Sequence, residues 1–140
     1  MKKNILTLLL GLVAMSVMAE EPFAQITFEN RTHDFGTVAQ DTCIVTCLFQ
    51  FTNTGTMPLV IHQAIASCGC TVPEYTQEPI APGEKGAIKV TYNGKTKRPG
   101  IFKKSITIHS NSKETPTRIY IQGEMIPAVN IAEEIEEPKQ

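Results

Sequence analysis

Tryptophan is absent from this 140-residue chain, and the aromatics stop at three Tyr and six Phe. No helical stripe of period 3.6 runs for ten residues anywhere in 24–125, which argues against a helical bundle. Neither sign of charge dominates: 13 basic and 14 acidic side chains give a net charge of −1. A nucleic-acid partner, which needs a basic footprint, is therefore not expected. Nor is there a G-x-S-x-G elbow or a paired-carboxylate site, and "HDFG" (His33–Gly36) stands without the other kinase motifs, so no enzyme is expected. After residue 18 no apolar run is long enough to span a membrane.

The longest apolar run lies at the very start. Lys2 and Lys3 precede Ile5–Met18, and Val17-Met18-Ala19 has the small residues that a signal peptidase reads. The expectation is a signal peptide over 1–19, cleaved after Ala19, and export to the periplasm or surface of a bacterium. No cysteine follows the run closely, which speaks against a lipoprotein anchor. Losing Lys2 and Lys3 and no acid takes the net charge from −1 to −3. About 120 residues remain, one domain in size.

Those residues alternate. Ile26 and Phe28 share one face of "QITFE". In "DTCIVTCLFQF" Cys43, Val45, Cys47, Phe49 and Phe51 share another. "GAIKVTY", "IFKKSITIHS" and "TRIYIQG" repeat the pattern around Ile88 and Val90, Ile106 and Ile108, and Ile119 and Ile121. "LVIHQAIAS" is apolar on both faces and predicts a more buried strand. Turn signals separate the runs: "NTGTMP", "APGEKG", "NGKTKRPG" and "SNSKETP". About seven short antiparallel strands predict an all-β, immunoglobulin-like β-sandwich over 20–125 as a single domain. The acidic tail 126–140 is expected to be frayed or a short helix.

On "HDFGTV", "FQFTNTGTMPLVI", "SCGCTVPEY", "EPIAPGEKGAIKVTY" and "IQGEM" the chain resembles a bacterial family catalogued as domain of unknown function 1573. The resemblance runs from about Ile26 to Met125. More distantly the chain is similar to Hydin-type and pilus-chaperone-type immunoglobulin domains. The resemblance implies a seven-stranded exported sandwich and implies no reaction. The chaperone role, which needs a cleft between two such domains, does not carry over to one domain.

Four cysteines in an exported chain invite disulfides. Cys43 and Cys47 lie four apart on one strand, about 13 Å between Cα atoms, beyond the roughly 7 Å that a disulfide tolerates. Cys68 and Cys70 can pair only through a small ring, which Gly69 would help to turn. If "NTGT" is a hairpin turn centred between Gly55 and Thr56, Cys43 and Cys68 stand 12 residues to either side of it. A bridge from Cys43 to Cys68 or Cys70 would close about 25 residues and stabilise by roughly 3 kcal/mol, leaving Cys47 free in the core. Other readings of Cys68-Gly69-Cys70 stay open: plain small residues at a tight turn, a soft-metal site for copper or zinc with Cys43 or a histidine as a third ligand, and thiol–disulfide exchange.

His33, His62 and His109 are read as structural, His33 through a hydrogen bond in its loop and His109 on the polar face of its strand. "KTKRPG" (Lys95–Gly100) is a basic turn, and "NRT" at Asn30 matches a glycosylation sequon of no weight behind a bacterial leader. The expected role is a non-catalytic binding or scaffolding module of the cell envelope, without cofactor, whose partner is a protein or envelope component. Its expected contact loops carry Thr71, Pro73, Tyr75, Lys95, Lys97 and Arg98, with open strand edges as a second kind of surface.

Overall fold

The computed structural model describes residues 19–128. The signal peptide expected up to Ala19 and the acidic tail expected from Ile126 therefore lie almost wholly outside the described residues. Among the described residues there are eight strands: β1 (Ile26–Phe28), β2 (Thr32–Ala39), β3 (Ile44–Asn53), β4 (Ile61–Ala66), β5 (Thr71–Tyr75), β6 (Lys85–Asn93), β7 (Gly100–Ser110) and β8 (Thr117–Ile126). A single 3-10 turn, Gln40–Thr42, joins β2 to β3. Two sheets of four strands, in the orders β1-β3-β6-β5 and β2-β8-β7-β4, make the sandwich. Pairing is antiparallel except between β2 and β8, which run parallel from Thr32↔Tyr120 to Ala39↔Ile126.

Alternation places the core where the pattern predicts. Ile26, Cys47, Phe49 and Phe51 face inward from one sheet with Ile88, Val90 and Tyr92. From the other sheet come Phe102, Ile106, Ile108, Ile119 and Ile121. Tyr92 stacks on Phe102 across the interior, ring centroids 4.4 Å apart. Burial of these side chains supplies the main driving force for folding.

Two expectations change. "LVIHQAIAS" is not a doubly buried strand: Leu59 and Ile61 are buried, but β4 is an edge strand on which His62, Gln63 and Ile65 face solvent. A register shift between Ile61 and Gln63 upsets its alternation. The Asn53–Pro58 stretch, in turn, is no hairpin, because β3 and β4 belong to different sheets. It is a corner built on Asn53, which is fully buried. The Asn53 Nδ2 donates to the carbonyls of Met57 (2.8 Å) and Ile80 (2.9 Å), and its Oδ1 accepts from the Gly55 N–H at 3.0 Å. The Gln25 N–H, 3.4 Å from the same Oδ1, is the fourth contact, so all of this amide's hydrogen-bonding capacity is used.

Candidate functional site

The Cys-Gly-Cys stretch forms the turn between β4 and β5, crossing from one sheet to the other. The Thr71 N–H donates to the Cys68 carbonyl at 3.2 Å, and the Asn93 N–H to the Cys70 carbonyl at 2.8 Å. Cys68 and Cys70 are paired as a disulfide, their Cα atoms 5.3 Å apart. The pairing of Cys43 with Cys68 or Cys70 is not what forms. The Cys43 carbonyl accepts from the Gly94 N–H, on the other side of the end of β6. Cys43 and Cys70 thus share one end of the sandwich but stand two strand spacings apart, about 10 Å, too far for a bridge. Cys43 is fully buried against Gly94, where an added Cβ would lie 2.6 Å from its sulfur. Cys47 faces the core as a free thiol, and burial pushes its pKa up to about 11.

The strand between Cys43 and the other pair also undoes a three-sulfur metal site. Among the described residues no group of three or more His, Cys, Asp or Glu side chains could hold an ion. Gly69, moreover, has no positive φ and has open space where a Cβ would stand, so the turn does not demand glycine.

The proposed contact residues separate. Lys95, Lys97 and Arg98 are exposed in the turn between β6 and β7, where Gln40 Nε2 donates to the Lys97 carbonyl at 2.8 Å. Pro73 and Tyr75 are half-buried on β5, and the Tyr75 hydroxyl donates to the His62 carbonyl at 3.1 Å. Thr71 is buried and offers no contact surface; its hydroxyl lies 3.7 Å and 3.9 Å from the Cys68 and Cys70 sulfurs. His33 is not in a loop but on β2, edge-on to Phe35 and Phe49 at centroid distances of 4.6 and 6.5 Å. His62 is exposed and His109 half-buried.

A more open surface lies along β3. β1 covers β3 only from Ile26↔Asn53 to Phe28↔Phe51. The last backbone contact is the Glu29 N–H donating to the Gln50 carbonyl at 3.1 Å. The chain then leaves for the other sheet as β2. Residues two apart on a strand point their backbone groups the same way, so Leu48, Thr46 and Ile44 present theirs to the side that β1 has vacated. Leu48 and Ile44 are 60% and 51% exposed on the outer face of the sheet. Beneath the edge is a cavity of about 290 Å³, lined by Glu29, Asn30, Thr32, His33, Leu48, Phe49 and Gln50.

The other edges carry the devices that prevent strand addition. β5 holds Pro73, which has no N–H to offer. β2 is broken by a bulge between Asp34 and Thr37, with Gly36 at φ +66°. β4 is bulged and lies against β5 at the rim. The outer side of β1 is met by Ser112, whose Oγ accepts from the Ile26 N–H at 3.1 Å. Residues 44–48 carry no charge, proline or glycine. The signal for this edge was present in "DTCIVTCLFQF": Ile44 and Leu48 occupy the face that should be polar.

Residues 26–125 match the family described as "Protein of unknown function (DUF1573)". The chain belongs to that family. Among solved structures it is similar to a protein of unknown function from Porphyromonas gingivalis W83, at 18% identity and a TM-score of 0.65. That match covers 74% of this chain and 47% of the other, so the chain spans about half the length of that protein. It is also similar to the ASH / PapD-like domain 7 of human CEP192, at 12% identity and a TM-score of 0.61, over 80% of this chain and 92% of the other. A third similarity is to the secreted serine protease VesC of Vibrio cholerae, at 14% identity and a TM-score of 0.52. It covers 72% of this chain and 23% of the protease. At these identities the likeness is one of fold. No curated protein matches the chain.

Proposed function

We propose that the chain is a non-catalytic binding module of the bacterial cell envelope, exported by its leader to the periplasm or cell surface. Its partner is a protein that lays an extended segment along Ile44–Leu48. The observation that carries this reading is the vacated edge of β3, with aligned backbone groups and two exposed apolar side chains. An added strand would continue the line of β1, and its main chain would supply affinity while alternate side chains met the His33 cavity and the outer face. The basic leader followed by an apolar run supports export.

The test uses the mature chain and seven-residue peptides alternating Val and Thr, followed by fluorescence anisotropy. Binding is expected to slow exchange of the Thr46 and Leu48 amides, and to vanish when the peptide is N-methylated at alternate residues. Thr46→Pro should abolish it as well, because proline there removes an outward donor. Equal binding of the methylated peptide, or no protection of those amides, would sink the reading.

A further inference from the structure

The cysteine pair has a property that a purely structural role leaves unexplained. A disulfide stabilises by restricting the unfolded chain, and the effect shrinks with the length of the loop it closes. Cys68 and Cys70 close a loop over one residue. The turn that they span is already held by the Ser67 N–H on the Ser105 carbonyl, the Thr71 N–H on Cys68 and the Asn93 N–H on Cys70. The bond orders little that is not already ordered.

Access and polarity point elsewhere. Cys68 and Cys70 are half-buried residues rather than buried ones, and Gly69 between them is exposed, with nothing within 4 Å of where a Cβ would stand. One side of the pair is therefore open to an approaching thiol. On the other side the hydroxyl of Thr71, a residue only 3% exposed, finds hydrogen-bond partners in the two sulfurs and in nothing else among the described residues. A hydroxyl bonds far more strongly to a thiolate than to a neutral sulfur. A buried hydroxyl fixed on both sulfurs thus favours whichever state places negative charge there.

We propose that Cys68 and Cys70 form a reversible redox couple that exchanges with a dithiol protein, with Thr71 as the positioning residue that favours the reduced form. A partner thiolate attacks one sulfur, a mixed disulfide forms, the Cys68–Cys70 bond breaks, and its electron pair leaves on the second sulfur. The partner's second thiolate then attacks the mixed disulfide, forms the partner's own disulfide and releases the first cysteine. Two electrons pass to this chain; of the two protons lost by the partner's thiols one ends on one cysteine and the other goes to solvent, so the second cysteine is left as a thiolate facing the Thr71 hydroxyl. Cys43 and Cys47, buried on the core side, take no part.

The experiment equilibrates the folded mature chain in glutathione buffers of graded ratio, quenches with acid and alkylates. Chymotryptic fragments cut after Phe51 or Leu59 separate Cys68 and Cys70 from Cys43 and Cys47 for weighing. Exchange disulfides titrate against glutathione, whereas structural ones stay oxidised in it. The expected result is half-reduction within the buffered range. Thr71→Val should move the midpoint about tenfold toward the disulfide, and Thr71→Ser should restore it. Three outcomes would overturn the proposal: a pair that stays oxidised in every buffer that leaves the fold intact, a pair that never oxidises, or a Thr71→Val midpoint equal to the wild type. Thr46→Pro should leave the midpoint alone, so failure here is separate from failure at the β3 edge.

Discussion

From Phe51 to Asn53, β3 runs between β6 and β1; from Ile44 to Leu48 it has β6 on one side and, among the described residues, no strand on the other. Both halves bury the same kind of inward face, Phe51 and Asn53 in one and Cys47 in the other. They part company only at the edge and on the outer face. The covered half ends in a corner where every polar atom of a buried amide is satisfied, and the uncovered half ends in exposed Leu48 and Ile44. Burial of one face is therefore enough to hold a strand in a sandwich, which leaves its free edge available for something else. The divergence begins at residues 29–31, where the chain abandons one sheet for the other.

The largest expected effect falls in the covered half. Asn53→Ala leaves the carbonyl of Met57 and the N–H of Gly55 without this partner and takes one of two donors from the Ile80 carbonyl, which keeps the Leu59 N–H, at a cost of about 3 kcal/mol. Urea unfolding would show the loss as a lower midpoint at unchanged slope. Gly55→Ala should cost a similar amount, because its Cβ would collide with the Phe23 carbonyl and lie 2.7 Å from the Gln25 nitrogen. Neither change touches residues 44–48, so peptide binding by the surviving folded chain should persist. A loss of binding in step with stability would show the two halves to be one unit.

In the uncovered half the expected effect is kinetic. The amides of Thr46 and Leu48 point outward, whereas those of Val45, Cys47 and Phe49 point toward β6. Hydrogen exchange should be faster at the first set by about a hundredfold or more, since local opening is not needed there. Leu48→Glu should change stability by no more than about 0.5 kcal/mol while abolishing peptide binding. Equal protection of the two sets of amides would mean that the edge is already covered in solution.

How much of this could be read in advance depends on how local the cause is. The inward faces of β1, β3, β6, β7 and β8 follow from alternation, which is a property of each strand alone. β2 escapes that reading because Gly36 and the bulge break its period. β5 escapes it because five residues with Pro73 at the centre look like a loop. The sheet to which a strand belongs is not a local property. Counting outward from Gly55 therefore put Cys43 and Cys68 on one hairpin, when the chain turns a corner there and β6 comes between them. The open edge is likewise invisible until β1 is seen to stop at Phe28, although the apolar Ile44 and Leu48 on the outer face were its trace.

The smallest effect concerns what keeps β2 away from β3. Arg31, at the crossover, forms a two-pronged ion pair with Glu114, both contacts at 3.1 Å. On β2 the Asp34 carboxylate accepts from Gln122 Nε2 at 3.0 Å and from the Gly36 N–H at 2.7 Å. The hydrogen bond from Gln122, then that from Gly36, hold the Asp34 pKa below its ordinary 3.8, and the bond and charge of Arg31 hold Glu114 below 4.5. Both carboxylates bind a proton less readily folded than unfolded. Their contribution is therefore complete above the unfolded values and fades as pH falls through the folded ones. Both groups are exposed, so the effect is small and screened by salt. Between pH 5 and pH 3, exchange should quicken in β2 and the crossover, after correction for the intrinsic rate, while the β3–β6 ladder stays as it was. Asp34→Asn with Glu114→Gln should flatten that dependence. If acid instead loosened β3 and β6 together with β2, the crossover would not be the independent element that leaves Ile44–Leu48 uncovered.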